Sequence, residues 1–301
     1  MKKIFCLALA VLMIAALMAP VFAAEKLGSK SVNPTATIKG KSANGVKIDG
    51  AIGEYEYEEI KFSTDELRYY GNTDAALPNA QKYSFKLYTA WDSAKLYLAV
   101  VADAPDFVQT QEASTMWQEY CLQFSCSKAD EKTAATRNEY GISKNTKTNA
   151  LLFNAWATAY NAKWTPKTDG SEFQVVTKNG KTTYEVAIPA AAFGQDSFKQ
   201  GDKLGFNVCV NIGSQNVGSK ERYQLEWSQG CGSTKDATKF GKITLGEQIK
   251  IPVATTTKAA ATTAAKAAAT AAAAKTADAS VIIAAVATIA LAGVVVCRKK
   301  H

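Results

Sequence analysis

Short runs of alternating apolar and polar residues most constrain what this chain can fold into. Tyr83–Trp91 alternates, Asp92–Lys95 has the composition of a turn, and Leu96–Val100 alternates again. Successive side chains of a strand point to opposite faces, so the pattern predicts two half-buried strands joined as an antiparallel hairpin. The clearest apolar face lies on a later run and comprises Leu204, Phe206, Val208, Val210 and Ile212.

The same kind of run recurs along residues 46–245, separated by Gly, Asn and Asp. Such a succession is typical of an all-β fold, and we predict a jelly-roll-like β-sandwich. Pro189–Phe193 predicts one helical turn, and Ser63–Gln81 a surface loop. The further predicted strands are Val46–Asp49, Glu119–Cys126, Asn138–Ser143, Ala150–Ala157, Phe173–Lys178, Thr182–Ile188, Leu204–Ile212, Arg222–Trp227 and Lys239–Leu245.

Both ends of the chain carry membrane-targeting patterns. Lys2 and Lys3 precede an apolar stretch, so residues 1–23 predict a cleaved signal peptide, with an uncleaved anchor as the alternative. Residues 279–297 carry no formal charge. As a helix they would span about 28 Å, close to the ~30 Å hydrocarbon core of a bilayer. The basic residues 298–301 then predict a cytoplasmic end.

These patterns predict a single-pass protein of the cell membrane with an extracellular domain at residues 24–252. An Ala/Thr/Lys stalk follows at residues 253–278, then the transmembrane helix at 279–297 and the cytoplasmic tail at 298–301. Signal, stalk and tail hold 8 of the 35 basic residues and one of the 27 acidic ones, which leaves the domain near +1. A nearly neutral domain gives no electrostatic case for a nucleic-acid partner.

The residue inventory of the predicted domain also excludes several kinds of chemistry. The one histidine, His301, lies in the tail, so the domain has no imidazole for a Ser-His-Asp or Cys-His mechanism. Four cysteines lie in the domain, namely Cys121, Cys126, Cys209 and Cys231. They permit two disulfides in three connectivities, or act as small buried apolar residues, and the sequence does not decide between these.

Six segments in order along residues 45–246 resemble the motifs of family 9 carbohydrate-binding modules and their DOMON-like relatives. The resemblance implies a β-sandwich that binds glycan ends between two tryptophans, with structural calcium in some members. The similar segments are Val46–Tyr55 (IDG…E), Trp91–Val100 (WD…LYLAV), Trp117–Phe124, Tyr184–Pro189 (YEVAIP), Gly201–Asn207 (GDKLGFN) and Trp227 to Leu245.

On this resemblance, Trp117 and Trp227 are the candidate sugar clamp, because flat aromatic rings stack on the apolar face of a sugar. Gln123 is the candidate reader of sugar hydroxyls. Trp156 and Trp164 flank a loop, and they either line the cleft or cap it. The chain departs from the family pattern at Tyr120 and Gln123, which replace two usual carboxylates. Lesser candidates on the next segment are Arg137, Asn138 and Tyr140.

Asp49, Glu54 and Asp92 are the candidate ligands of a structural calcium ion, since hard carboxylate oxygens suit that cation. The alternative is that these carboxylates belong to turns and the solvated surface.

The function predicted from these observations is noncatalytic, surface-displayed carbohydrate binding. The protein would hold polysaccharide or oligosaccharide at the cell surface for neighbouring glycoside hydrolases or transporters. The tail resembles membrane anchors of Gram-positive surface proteins, although it lacks an LPxTG motif.

Three alternatives accompany this function. The first is a structural or adhesion module of the cell envelope that has lost sugar binding. The second is a haem domain, disfavoured because the predicted domain has Met116 but no histidine as an axial ligand. The third is a glycoside hydrolase, for which the sequence singles out no carboxylate pair.

Overall fold

The computed structural model describes residues 25–26, 34–73, 76–160, 164–232 and 234–252. The described residues form an all-β, sheet-rich fold. Its strands are β1 (Glu25–Lys26), β2 (Thr35–Gly40), β3 (Glu58–Ile60), β4 (Arg68–Gly71), β5 (Phe85–Trp91), β6 (Lys95–Asp103), β7 (Cys121–Lys128), β8 (Asn138–Lys144), β9 (Leu151–Thr158), β10 (Phe173–Lys178), β11 (Lys181–Pro189), β12 (Lys203–Gly213), β13 (Arg222–Glu226) and β14 (Gly241–Gln248). One helical turn, α1 (Leu77–Ala80), and the 3-10 helices Thr64–Glu66, Ala113–Gln118, Ala190–Phe193 and Ala237–Lys239 complete the elements.

The strands form two layers. All of the described strands are hydrogen-bonded into one continuous sheet that folds over on itself. We call its two layers sheet A, with the order β9-β8-β7-β12-β13-β4-β1, and sheet B, with the order β10-β11-β6-β5-β3. The long strand β12 connects them, because one edge pairs with β7 while the other pairs first with β14 and then with β13. β14 pairs in parallel with β2, which reaches β5 through Gly40 and Trp91.

The two layers face each other across one apolar core. The rings of Phe153 on β9 and Phe173 on β10, which lie in different sheets, have centroids 6.4 Å apart. Phe124, Tyr140 and Phe206 are fully buried in the same cluster. Face-to-face packing of this kind is what a β-sandwich requires, and it leaves the opposite face of each sheet available for other contacts.

Several sequence predictions are confirmed by these elements. β5 and β6 form the expected antiparallel hairpin, with Trp91 opposite Leu96. The helical turn expected at Pro189–Phe193 is the 3-10 helix Ala190–Phe193. The apolar face from Leu204 to Ile212 lies in the core. Alternation with period 2 was sufficient here because one face of each strand is buried.

Two segment predictions are wrong. Val46–Asp49 is not a strand; its backbone instead approaches the side chain of Glu185, whose carboxylate accepts N–H bonds from Asp49 (3.0 Å) and Gly50. Ser63–Gln81 is more than a surface loop, because it contains β4, all of whose residues are buried. The polar or aromatic character of β4 hides it from an alternation rule, since both of its faces are covered.

The predicted signal peptide, stalk, transmembrane helix and cytoplasmic tail all lie outside the described residues. Within the part of the chain that the structure describes, no helix is long and apolar enough to cross a membrane.

Candidate functional site

A cavity of about 680 Å³ opens on the outer face of sheet A, the face turned away from the core. Its lining residues come from β4, β7, β8, β9 and β13 and from the segments that connect the strands. Its lining includes two tryptophans, three cationic side chains and several amides. Ligand pockets for small molecules commonly measure about 300–1,000 Å³, so the cavity is large enough for a sugar.

The alternation of the strands explains why this face is polar. Gln123 lies opposite Gly141 on one neighbouring strand and Cys209 on the other, and residues directly opposite share a face. Its sequence neighbours Leu122 and Phe124 point to the core and are fully buried. The polar residues between apolar ones therefore form the floor of the cavity.

Trp117 and Trp156 supply the aromatic surfaces of the cavity. Trp156 is the extra residue of a β-bulge in β9, because Glu139 pairs with Ala157 while Tyr140 pairs with Ala155. A bulge redirects a side chain relative to the regular pleat. The indole Nε1 of Trp156 donates to the backbone oxygen of Ser114 at 2.9 Å, in the 3-10 helix Ala113–Gln118 that carries Trp117. Both rings are half-buried, and one short helix positions both.

Buried polar groups hold this helix in place. The side-chain amide of Gln109 donates to the backbone oxygen of Met116 at 3.0 Å. At the end of the helix, the fully buried carboxylate of Glu119 accepts from the backbone of Thr110 and from the hydroxyl of Ser214 at 3.0 Å. Buried hydrogen bonds to a charged acceptor are among the stronger ones, so the wall of the cavity is preorganised.

A buried carboxylate on β8 lies at the centre of the cationic part of the lining. Glu139 is 1% exposed, accepts a hydrogen bond from Nε of Arg137 at 3.1 Å and forms an ion pair with its Nη2 atom at 3.0 Å. It also pairs with Lys235 and accepts from Gln123 at 3.4 Å. Burial by itself would lower the pKa of Lys235, but the carboxylate of Glu139 raises it, so this lysine stays charged.

A second network links the other side of the lining. The oxygen of the Asn211 amide accepts from Arg222 at 3.1 Å and from Gln224 at 3.0 Å, while its nitrogen donates to Gln123 at 2.8 Å. The Arg222 guanidinium lies over the Trp117 ring, 5.2 Å from its centroid. The amides of Asn211 and Gln123 thus connect the arginine on β13 to the carboxylate on β8.

A third buried group lies beneath the cavity. Glu226 accepts from the hydroxyl of Tyr70 at 3.2 Å and from the backbone N–H of Gly232, and both of those residues line the cavity. Burial raises the pKa of Glu226 to about 7, against the opposing effect of these hydrogen bonds and of Lys235 and Arg68. Its charge state therefore changes close to neutral pH.

The structure brings three of the six predicted sugar-binding residues to the cavity. Trp117, Gln123 and Arg137 all line it. Asn138 and Tyr140 alternate with Glu139 along β8, so they point to the opposite face. Tyr140 is fully buried in the core, and the side chain of Asn138 donates to the backbone oxygen of Ala192 at 2.8 Å. Asn138 and Tyr140 are therefore reassigned from sugar binding to structural roles.

The assignment of Trp227 to the sugar clamp is also corrected. It is 3% exposed, belongs to the core cluster and packs near Phe206, with ring centroids 6.4 Å apart. A Cβ atom on Gly241 would lie 2.6 Å from its Cζ3 atom, so the ring fills the space above that glycine. The second indole of the cavity is instead Trp156, while Trp164 packs edge-to-face against Tyr140.

Sequence reasoning did not select several lining residues, namely Tyr70, Glu139, Arg222, Gln224 and Lys235, and it left open whether Trp156 lines or caps the cleft. A signal existed for part of this set, since Arg222 and Gln224 alternate with the buried Tyr223 and Leu225 on a predicted strand. No local pattern identifies Trp156, whose position depends on a bulge. Lys235 comes from a long connection whose path only the fold determines.

The predicted calcium ligands Asp49, Glu54 and Asp92 do not form a site. Among the described residues, no three His, Cys, Asp or Glu side chains are placed to hold a metal ion. Asp92 instead accepts from two backbone N–H groups of its own turn and pairs with Lys41 at 2.7 Å. Asp49 accepts from the backbone of Ala51 at 3.0 Å. Hydrogen-bond donors and a cation therefore occupy both carboxylate oxygens of Asp92.

The four cysteines whose pairing the sequence left open are free thiols in the described structure, and all are buried. Cys121 and Cys209 lie on the same face of sheet A as Gln123, below the cavity. Burial raises the pKa of Cys121 to about 12, so its thiol stays protonated at neutral pH. These groups act as small buried side chains.

Comparisons with known proteins found one family model and several solved structures that are similar to this chain. A family model described as "Carbohydrate family 9 binding domain-like" matches residues 48–248. The chain is similar to a solved family 9 carbohydrate-binding module from Caldicellulosiruptor kristjanssonii in complex with cellotriose, with 15% identity, a TM-score of 0.47 and coverage of 73% of this chain and 98% of that chain. A family 9 module from the same organism in complex with glucose has 16% identity, a TM-score of 0.46 and coverage of 72% and 98%. No curated protein sequence matches the chain.

Proposed function

Because this chain belongs to the carbohydrate family 9 binding domain-like family, we propose that it binds a glycan, without catalysis, in the cavity on sheet A. The observation that carries the proposal is the combination of two half-buried indoles, Trp117 and Trp156, with converging amide and cationic side chains in one cavity. Apolar surfaces with a few placed polar groups are the usual composition of a small-ligand site.

The two indoles are the proposed stacking surfaces. Sugar rings present C–H groups on their faces, and these pack on flat aromatic rings. Arg222 covers one face of Trp117, so this indole offers at most its other face and its edge to a sugar. Trp156 is fixed by its hydrogen bond to Ser114, so it contributes a rigid surface at small entropic cost.

Polar side chains around the indoles are the proposed readers of sugar hydroxyls. Gln123, Gln224 and Asn72 offer amides that donate and accept, and Arg137 offers donors only. The carboxylate expected from the family pattern is absent from β7, but Glu139 on the neighbouring strand approaches Gln123 within 3.4 Å. Glu139 on β8 thus brings a carboxylate close to Gln123, the position at which the family motif would carry one.

We further propose display of this domain at the cell surface of a Gram-positive bacterium, close to glycoside hydrolases or transporters. The support is the sequence of the two termini, which lie outside the described residues. Protease treatment of intact cells tests it: cleavage of the domain at the surface supports display, and full protection contradicts it.

The binding proposal is tested by titrating the purified protein with neutral and acidic oligosaccharides while recording tryptophan fluorescence. We expect saturable changes that Trp117→Ala and Trp156→Ala each weaken by about tenfold or more, since losing an aromatic contact costs over 1 kcal/mol. Trp227→Phe is the matched control, because Trp227 lies in the core and outside the cavity lining.

Two results would contradict the proposed site. One is a folded protein that binds no glycan in a broad panel, which would favour the structural or adhesion module. The other is binding that survives Trp117→Ala and Trp156→Ala but is lost in Trp227→Phe, which would move the site away from this cavity.

A further inference from the structure

We propose that the glycan bound in the sheet A cavity carries a carboxylate, as a uronic acid does, and that Arg222 recognises it. This inference rests on the proposed function and specifies its substrate class. Four observations support it: the missing counterion of Arg222, its unused donors, its burial, and the charge of the whole lining.

Arg222 has no carboxylate partner among the described residues. Its guanidinium forms hydrogen bonds only to neutral amides, from Nη1 to Asn211 at 3.1 Å and from Nε to Gln215 at 3.4 Å. Within the same described part of the chain, no acceptor contacts its Nη2 atom. At least two N–H donors of a residue that lines the cavity are therefore available to a ligand.

The surroundings of Arg222 make this lack of a counterion costly. The guanidinium is covered by the ring of Trp117 on one side, and burial lowers the pKa of the arginine because its charged form loses hydration. Arg222 is half-buried, and a charge that is partly removed from water is normally paired, since its desolvation is otherwise uncompensated. A carboxylate on the ligand would supply the missing partner.

The net charge of the residues that line the cavity is positive, like the charge of Arg222 itself. Among the described residues of the lining, the cationic ones are Arg137, Arg222 and Lys235, and the one carboxylate is that of Glu139. Arg137 and Lys235 share this carboxylate, which leaves them together with one excess positive charge. Arg222 adds a second. A cavity with two excess positive charges favours an anionic ligand over a neutral one of the same shape.

The geometry of arginine favours a carboxylate in particular. A guanidinium is planar and presents its N–H groups as a fork that matches the two oxygens of a carboxylate. Contact with Trp117 and the bond to Asn211 hold this fork in one orientation. A sugar that packs near Trp117 would bring a C6 carboxylate within reach, where a neutral sugar offers a single hydroxyl.

The test compares pairs of oligosaccharides that differ only in oxidation at C6. Trimers of β-1,4-linked glucose and of β-1,4-linked glucuronic acid form one pair, and trimers of galacturonic acid and galactose with a common linkage form another. Affinities for the full-length protein are measured by fluorescence and calorimetry at about 50 mM and about 500 mM NaCl. We expect the acidic member of at least one pair to bind about tenfold tighter at low salt, and the preference to shrink at high salt.

Variants assign the preference to Arg222. Arg222→Gln is expected to abolish it while neutral binding changes less, and Arg222→Lys to retain part of it through charge without the fork. Lys203→Gln removes the same charge from an exposed position outside the cavity and should leave the preference unchanged. If Arg222→Gln fails to fold, the Arg222→Lys protein and the salt dependence of the wild type decide the question.

The outcomes separate the inference from the function on which it rests. Binding of neutral trimers that equals or exceeds binding of acidic ones overturns the inference and leaves the proposed function in place. A preference that persists in Arg222→Gln also overturns the assignment to this residue. Absence of binding to both members of every pair contradicts the proposed function itself.

Discussion

The indole of Trp156 lies directly over Gly141, so closely that a Cβ atom on residue 141 would overlap the Cη2 and Cζ3 atoms of the ring. Gly141 lies on β8 opposite Gln123, in the floor of the cavity. The absence of a side chain at this one position lets the bulged β9 lay a flat ring on the sheet. The aromatic surface of the proposed site therefore depends on a glycine that itself offers no contact to a sugar.

Gly141→Ala is predicted to displace the Trp156 ring and to weaken glycan binding by about tenfold or more. The added methyl group also overpacks the site, which should lower the free energy of unfolding by about 1–3 kcal/mol. Fluorescence titration and urea unfolding measure the two effects. In a Trp156→Ala background the stability cost of Gly141→Ala should shrink, because the overlapping ring is gone. Equal costs in both backgrounds would contradict the contact.

Arg137 and Asn138 are neighbours in sequence whose side chains have different roles. Asn138→Ala leaves the backbone oxygen of Ala192 without its buried donor, so we expect a loss of about 1–3 kcal/mol in unfolding free energy and unchanged glycan affinity. Arg137→Ala removes a side chain of the cavity and should weaken binding, while Lys235 keeps Glu139 paired. If Asn138→Ala weakened glycan binding and Arg137→Ala lowered only the unfolding free energy, the assignment of the two side chains to opposite faces of β8 would be wrong.

Glu226 is predicted to make stability fall as the pH rises towards neutrality. Burial raises its pKa from 4.5 to about 7, so the folded state holds the proton more tightly than the unfolded state. Its stabilising contribution is fully present below about pH 4.5 and is lost as the pH rises through about 7. Glu226→Gln imitates the protonated form and should be more stable than wild type at pH 8, by up to about 3 kcal/mol, but not at pH 4.5.

Urea unfolding at several pH values between 4.5 and 8 measures this difference. Glu112→Gln, at an exposed position, is the control and should leave the pH profile of stability unchanged. A Glu226→Gln profile parallel to that of the wild type would show that Glu226 does not titrate in this range in the folded protein.

The four cysteines of the domain are predicted to resist alkylation in the native protein. They are buried, and burial raises the pKa of each thiol, so little reactive thiolate is present at neutral pH. Iodoacetamide labelling followed by peptide mass spectrometry should modify Cys121, Cys126, Cys209 and Cys231 only after unfolding. Rapid native labelling, or the absence of free thiols after unfolding, would contradict the structure.

The strands that a one-dimensional pattern could predict are those with one face in the core. β5, β6 and β12 alternate because half of their side chains are buried against the other sheet, and the alternation is visible without knowledge of the fold. β4 was missed because both of its faces are covered. Val46–Asp49 was assigned as a strand because it is partly apolar, yet its backbone N–H groups bond to a carboxylate distant in sequence.

The choice of tryptophan illustrates the same limit within the site. A resemblance to family motifs selects both Trp117 and Trp227 as the sugar clamp. Only the packed fold distinguishes them, since Trp117 lies on a short helix at the rim and Trp227 lies over Gly241 in the core. Trp156 enters the site through a bulge, which depends on pairing between β8 and β9.

The sequence by itself determined the fold class and most strand positions, because burial of one strand face leaves a local, period-2 record in the chain. The resemblance to carbohydrate-binding domains came from six motif segments, which are also local. The tertiary structure alone decided which aromatic rings meet and that Arg137 and Lys235 share Glu139. It also decided that Arg222 faces the cavity with no carboxylate partner from the described part of the chain. These relationships join residues on different strands and connections. Their physical basis is the register between strands and the shared burial of charges, which no local stretch of sequence records.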